Sequence, residues 1–326
     1  MAQQEPPRND AEQIAKATET TARATEAAEQ GLAEVQHALG LRYARGEGVP
    51  QDMAQAAVWF RKAAEQGHAV AQYDLGVMYD TGRGLPQDKT QAAHWFRKAA
   101  EQGYAPAQFN LGVMYSAGEG LPEDKAQAAR WYRKAAEQGH ASAQYNLGFL
   151  YNSGRGVPQD KAQAVRWFRK AAAQGLAPAQ NHLGLMYKAG DGVPEDKAQA
   201  AVWFRKAAEL GHAPAQYHLG VMYADGDGLP EDKAQAAVWF RKAAGQGIAE
   251  ARYNLGIMYY YGDGLPRDMH EAIRWLRMAA KQGDVKARKA LWRDDIRKAF
   301  AADLAAGRAA RTIAIRPERR AGEDPA

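Results

Sequence analysis

The dipeptide Leu-Gly returns every 36 residues, at Leu39-Gly40, Leu75-Gly76, Leu111-Gly112, Leu147-Gly148, Leu183-Gly184, Leu219-Gly220 and Leu255-Gly256. Tryptophan keeps the same interval at Trp59, Trp95, Trp131, Trp167, Trp203, Trp239 and Trp275. Seven copies without slippage exclude an ordinary globular arrangement of this chain, because a fixed period of this length marks a stacked repeat. A unit of this size has too few large apolar side chains to offset the entropy of ordering its backbone. It becomes stable only when neighbours bury both of its sides.

Each copy reads as two helices. In the second copy Ala71, Leu75, Met78 and Tyr79 form an i, i+4, i+7, i+8 stripe over about 69–80. Gly76 falls inside that helix, where it costs about 1 kcal/mol relative to Ala. The compensation expected is close approach of the paired helix. Gly82 can take a left-handed conformation past the helix end, and Pro86 forbids continuation. The second helix starts at an aspartate: Asp52, Asp88, Asp124, Asp160, Asp196, Asp232 and Asp268 each stand three residues before Gln or Glu, a capping-box arrangement. Ala56, Trp59, Phe60, Ala63 and Ala64 then form its buried face, and Gly67 ends it. The fold expected is all-α, an α-solenoid of seven 36-residue helix–turn–helix repeats with a capping helix at each end.

The ends set the domain limits. Residues 1–10 are expected to be disordered. "AAEQG" at 27–31 matches 63–67, so residues 11–31 read as a degenerate half-repeat, with Arg23 and Ala24 where Trp and Phe would stand. Residues 32–283 hold the seven repeats. Residues 284–307 read as a closing helix, helical over about 285–306, with an apolar stripe of Trp292, Ile296, Ala299, Phe300 and Leu304. Residues 308–326 are expected to form a polar, basic and disordered tail. The formal charge of +5 is concentrated at this end: from Asp284 onward there are 11 Lys/Arg against 7 Asp/Glu, and before it 32 against 31.

The pattern "A..LG.MY..G.G.P.D...A..WF.KAA.QG" resembles the Sel-1-like repeat, a relative of the tetratricopeptide repeat, over residues 32–283. The resemblance implies a non-enzymatic adaptor that holds other proteins on the concave side of the solenoid. Cysteine-rich members, tied by disulfides and credited with penicillin binding, are a different branch, since this chain has no Cys. The start shows no basic stretch followed by an apolar core. A cytoplasmic protein is therefore expected, or an exported one if a signal has been removed.

Enzyme chemistry finds little to work with. None of the three serines, Ser116, Ser142 and Ser153, opens a Ser-x-x-Lys, and no P-loop is present. The Gly-x-Gly units follow a helix and precede Pro, the reverse of a dinucleotide fingerprint. "DGDGLPED" near Asp225 has Leu229 where a calcium ligand is needed. No cofactor is expected, and a hydrolase is kept only as a third reading. His68, His140 and His212 stand at helix entries where other copies have Tyr104, Leu176 or Ile248, which points to packing. His182 and His218 share one register but lack further ligands, so metal is disfavoured. The pairs Arg61-Lys62, Arg97-Lys98, Arg133-Lys134, Arg169-Lys170, Arg205-Lys206 and Arg241-Lys242 form a basic ladder. With a near-neutral array, and with Glu65, Glu101, Glu137 and Glu209 beside them, they read as a solvated outer face rather than a nucleic-acid site.

The candidate site lies where the copies differ. Positions 73, 77 and 80 lie opposite the core stripe of the first helix. The first register runs Tyr73, Phe109, Tyr145, Asn181, Tyr217 and Tyr253, after His37 in the first copy. The next carries Asn110, Asn146, His182, His218 and Asn254, after Asp74. Helix ends diverge further, through Asp80, Ser116, Asn152, Lys188, Ala224 and Tyr260. Aromatic rings beside amides suit capture of a peptide or partner protein, the amides bonding an extended backbone. The competing possibility is that the rings only pack between successive first helices. A further reading from another class has the basic C-terminal helix and tail bind an anionic surface, nucleic acid or lipid headgroups, through residues such as Arg316, Arg319 and Arg320. Oligomeric state is left open by the sequence.

Overall fold

The computed structural model describes residues 25–293 together with residues 296 and 298. Among the described residues every regular element is a helix. The hairpins are α1 (Ala33–Arg45) with α2 (Met53–Glu65), α3 (Ala69–Thr81) with α4 (Lys89–Glu101), α5 (Ala105–Ala117) with α6 (Lys125–Glu137), and α7 (Ala141–Ser153) with α8 (Lys161–Ala173). They continue with α9 (Ala177–Ala189) and α10 (Lys197–Glu209), α11 (Ala213–Asp225) and α12 (Lys233–Gly245), α13 (Ala249–Tyr261) and α14 (Met269–Lys281), followed by the short α15 (Val285–Leu291). The chain forms two compact units, divided between Gln174 and Gly175, the first with α1–α8 and the second with α9–α15. In each unit every hairpin packs on the next, the packing of an α-solenoid.

Local chemistry sets the helix limits. Each first helix ends at a left-handed glycine: Gly82 has φ +71° and donates its N–H to the Met78 carbonyl at 2.9 Å. Each second helix starts at its aspartate. The Asp124 carboxylate accepts from the Ala126 and Gln127 N–H groups, both at 2.9 Å. The capping box is only half made, however. Its reciprocal bond would satisfy the aspartate N–H, yet that group already donates to a carbonyl near the end of the preceding helix: Asp88 to Tyr79, Asp124 to Tyr115 and Asp232 to Tyr223, each at 2.9 Å. One bond thus closes the hairpin and satisfies an orphan group on both helices.

Gly76 is required by close approach, as its helix position implied. A Cβ there would lie 2.7 Å from two ring carbons of Phe96 on α4. Gly148 faces Phe168 at 2.9 Å and Gly220 faces Phe240 at 2.7 Å in the same way. The second glycine of the turn holds a different contact. A Cβ on Gly84, whose φ is +75°, would meet the Met53 carbonyl oxygen at 2.4 Å, so this turn rests on the first residue of the preceding second helix.

A buried amide ladder runs between hairpins. Gln72 Nε2 donates to the Ala64 carbonyl at 3.0 Å, and Gln72 Oε1 accepts from Gln102 Nε2 at 2.7 Å. Gln108 with Gln138, and Gln216 with Gln246, repeat the second bond at 2.7 and 2.8 Å. In the last copy Arg252 takes the place: Nε donates to the Ala244 carbonyl at 2.9 Å and Nη1 to Gln282 Oε1 at 2.7 Å. At the N-terminal end Gln36 Nε2 donates to the Ala28 carbonyl at 3.0 Å, and Ala28 is buried against Leu39 and Trp59. Ala28 thus plays the part of Ala64, which accounts for the match at 27–31. Residues 1–24, with the rest of the half-repeat, lie outside the described residues.

The C-terminal end departs from the sequence reading. α15 stops at Leu291, and Trp292, assigned to the apolar stripe, lies in a turn with 73% of its surface exposed. Ile296 is buried with Ala287 and Ala290. Ala299, Phe300 and Leu304 lie outside the described residues, as does the segment 308–326.

Candidate functional site

Residues separated by three, four and seven positions share a helix face. On α3 that face carries Tyr73 and Val77, on α5 Phe109 and Val113, on α7 Tyr145 and Phe149, on α11 Tyr217 and Val221, on α13 Tyr253 and Ile257. The rings are neither free nor shut away. Tyr73 lies 5.7 Å from Phe96 of its own hairpin and edge-on to Tyr104 at 5.3 Å. Phe109 stacks on His140 at 4.7 Å and sits 5.9 Å from Tyr132. Tyr145 lies 5.6 Å from Phe168, and Tyr217 lies 6.0 Å from Phe240. Tyr253 rests half-buried on the cluster that contains Leu276. Each ring therefore packs on a second helix, and Tyr73 and Phe109 also meet Tyr104 and His140 at the entry of the next first helix, so these two pack between successive first helices while staying part-exposed. Burial, ahead of nearby charge, raises the phenol pKa of Tyr73 and Tyr217, and burial alone raises that of Tyr145.

In the first unit Val113 and Phe149 are open apolar groups on this face, 38% and 40% exposed. The sequence reading named this register at position 77 but did not follow its series, because it lacks polar chemistry. A run of Val77, Val113, Phe149, Leu185, Val221 and Ile257 in that one position was the available signal.

The amide series is more occupied than the sequence implied. The Asn110 side chain stands beside the Tyr73 phenol and holds back the rise in its pKa, and Asn146 and Ser116 do the same at the buried Tyr132 phenol. Asn254 is half-buried on α13. Asn181 departs from its register: with no ring to reach outward it is 5% exposed, and its Oδ1 is buried without a hydrogen-bond partner among the described residues. Lys188 pairs with Asp227 at 3.3 Å.

The histidines have structural duties. The N–H groups of Ala71, Ala143 and Ala215 donate to Nδ1 of His68, His140 and His212 at 3.1, 3.2 and 3.3 Å, capping α3, α7 and α11. Burial, then neighbouring charge at His68 and His212, lowers their pKa values, which keeps Nδ1 an acceptor. Packing alone was the sequence reading, and capping is the part it lacked. His182 Nδ1 donates to the Pro178 carbonyl at 3.1 Å. His218 sits against Phe204 at 5.0 Å, its pKa lowered to about 4 by burial, then by Lys188 and His212. No group of three metal-ligating side chains able to hold an ion occurs among the described residues.

On the second helices the basic ladder is engaged. Arg61, Arg97, Arg205 and Arg241 donate to the phenols of Tyr79, Tyr115, Tyr223 and Tyr259 at 2.6, 2.9, 2.8 and 2.8 Å. Lys62, Lys98 and Lys134 lie over Trp59, Trp95 and Trp131 at 4.0, 4.6 and 4.2 Å. The sequence set Glu65, Glu101, Glu137 and Glu209 against these cations; the structure gives them phenols and indoles.

Stacked helical hairpins with a repeated second-helix surface and a varied first-helix face define an α-solenoid repeat protein. Seven tandem segments, 33–68, 69–104, 105–140, 141–176, 177–212, 213–248 and 249–284, match the Sel1 repeat, and the chain belongs to the Sel1 repeat family. A protective antigen present in uropathogenic Escherichia coli strains, displaying an SLR fold, is 42% identical with a TM-score of 0.80. That match covers 83% of this chain and 58% of the antigen, so this chain spans a little over half of that relative's length. A Sel1 repeat protein from Oxalobacter formigenes is 39% identical with a TM-score of 0.70, covering 84% of this chain and 80% of that one. No curated protein matches the chain. Proteins of this family are generally non-catalytic scaffolds for protein interaction. Among the described residues no helix is long and apolar enough to cross a membrane.

Proposed function

We propose that this chain is a non-catalytic adaptor that holds a peptide or partner protein on the first-helix face. The observation that carries the reading is the line of half-buried rings, Tyr73, Phe109 and Tyr145, bordered by exposed Val113 and Phe149. Rigid rings held on one side lose little entropy when a ligand covers the other. In the second unit Tyr217 and Tyr253 offer the same kind of surface.

Because each ring also supports its own hairpin, truncating a tyrosine would confuse binding with stability. Val113→Ser with Phe149→Ser is the cleaner probe. Peptides selected from a random library on the full chain are titrated against this double variant, with Trp167→Ala as a stability control. Binding at least about tenfold weaker at an unchanged melting temperature is expected, the scale of one interface hot spot. Unchanged affinity for every selected peptide would remove this face from the function.

A further inference from the structure

In the second unit the first-helix face changes character. α11 presents Tyr217, Val221 and Asp225 along one stripe, and α13 presents Glu250, Tyr253, Ile257 and Tyr261. The middle is apolar and aromatic, with Tyr261 60% exposed. Acidic groups stand at opposite corners: Asp225 and Glu250 are both exposed, and among the described residues neither has an ion-pair partner. With Asp284 they add to the burial that raises the Tyr217 phenol pKa, so all three carboxylates act on this spot. A complement to such a face carries cationic and branched apolar side chains in alternation.

The chain contains such a segment. Residues 308–320 read "RAARTIAIRPERR", five arginines against one glutamate, with Ile313 and Ile315 between them. We propose that this segment docks across α11 and α13, its arginines meeting Asp225 and Glu250 and its isoleucines covering Tyr217 and Tyr253. The inference rests on the peptide-capture reading and names a ligand for one part of that face.

Two further observations favour the chain's own tail. The described chain already approaches along this side: Arg293 Nη1 donates to the Tyr261 phenol at 3.1 Å, and its guanidinium lies 4.9 Å from the Tyr260 ring. A guanidinium thus already uses these aromatic groups as tail arginines would. The reach is also sufficient. The ten-residue step from Lys298 to Arg308 spans up to about 33 Å, whereas packed helices lie about 10 Å apart. α15 places Lys286 and Lys289 on the same side, where the arginines would be repelled, so contact begins beyond it at α13. Tethering gives the tail an effective concentration of about a millimolar, enough to compete with external peptides.

The absence of cysteine permits clean labelling of the full chain. Spin labels are placed at Ala314→Cys and at Ala189→Cys, the exposed last residue of α9, and their separation is measured by pulsed electron paramagnetic resonance. A narrow distance distribution that broadens in D225N/E250Q, and in about 0.5 M salt, is expected. Deleting residues 308–326 should tighten binding of a library-selected peptide to the second unit by about tenfold. A broad distribution shared by the parent and D225N/E250Q would overturn the proposal. So would a distance that arises only between mixed singly labelled chains, since the tail would then sit on a second copy. If the distribution is broad while V113S/F149S still abolishes capture, tail docking fails and the adaptor reading stands. If V113S/F149S changes nothing, the adaptor reading fails whatever the labels report.

Discussion

Replacing Gly76 by alanine in the middle of α3 sets two effects against each other. Alanine is better than glycine by about 1 kcal/mol in a helix interior. Against that stands Phe96, two of whose ring carbons would lie 2.7 Å from the new Cβ, well inside ordinary contact. Phe96 is 1% exposed and Leu75 is fully buried, so the ring has no space to retreat into. Overpacking of this kind costs about 1–3 kcal/mol, so the net change is expected to destabilise by about 1 kcal/mol, and Gly76→Val by clearly more. Gly245, the exposed last residue of α12, is the control. A Cβ added there would meet nothing within 4 Å, so its alanine variant should gain about 0.5 kcal/mol. The assay is urea unfolding of the full chain followed by helical circular dichroism. Amide exchange in α3 and α4 accompanies it, because stacked repeats do not always unfold in one step. A Phe96→Leu background should recover part of the Gly76→Ala loss, a coupling of at least about 0.5 kcal/mol between touching residues. If Gly76→Ala matches or exceeds the parent in stability, or shows no coupling to Phe96, close approach is not the reason for glycine at this register.

Other consequences are equally accessible. Asp124→Ala should cost about 1 kcal/mol because the carboxylate caps α6, whereas Gln127→Ala should stay within about 0.3 kcal/mol since the box has no second half; urea midpoints decide. Gln108→Leu should cost about 1–2 kcal/mol through two lost ladder bonds, and Gln108→Arg less, because Arg252 makes both bonds in the last copy. If leucine proves the better replacement, the ladder contributes nothing. His218 stays neutral in the folded chain down to about pH 4, while the unfolded chain protonates near 6.5. The unfolded state then binds more protons between those values, so stability is full above pH 6.5 and declines as pH falls toward 4. The decline should be about 2 kcal/mol once partial solvent access is allowed for, and His218→Asn should flatten it in urea midpoints measured from about pH 7.5 to 4.5.

How much was legible in the sequence follows from how local each signal is. The glycine stops, the aspartate starts and the close approach at Gly76 are each written within a few residues, and the period repeats without slippage, so they could be read directly. The amide ladder was not. Gln72 sits in an alanine-rich helix and looks like any solvated polar residue, because its partners are eight residues back at Ala64 and thirty ahead at Gln102. Only the return of glutamine at that register in copy after copy pointed inward. The histidine caps were missed for a related reason: Nδ1 as acceptor depends on helix-entry geometry, which Tyr104 and Leu176 cannot reproduce although they fill the same position. At the candidate site the sequence placed the rings on one helix face, but their packing against Phe96 and Phe168, and the position of Asn110 and Asn146 beside tyrosine phenols, came only from the structure. Trp292 left its predicted stripe because the backbone turns after Leu291, whereas Ile296 of the same stripe is helical and buried.

The two faces of each hairpin explain why some positions repeat and others drift. Leu75, Gly76, Phe96 and Gln72 each touch a neighbour whose counterpart stands in the next copy, so a change at one must be met by a change at its partner. The second-helix surface is held almost as tightly, since Arg97 needs a phenol and Lys98 an indole at fixed offsets. Val113 carries no such obligation, and neither do Asp225 and Glu250. A stack built this way concentrates its freedom to vary on the first-helix face. Its two units have used that freedom differently: on α3 Asp74 and Asp80 are paired with His37 and Lys89, while on α11 and α13 Asp225 and Glu250 stand without an ion-pair partner among the described residues. Under the proposed capture on this face, that difference predicts ligands of two chemistries, neutral and apolar for the first unit and basic for the second. Peptides selected separately by V113S/F149S and by D225N/E250Q full-length chains should divide along that line, each variant losing one class and retaining the other.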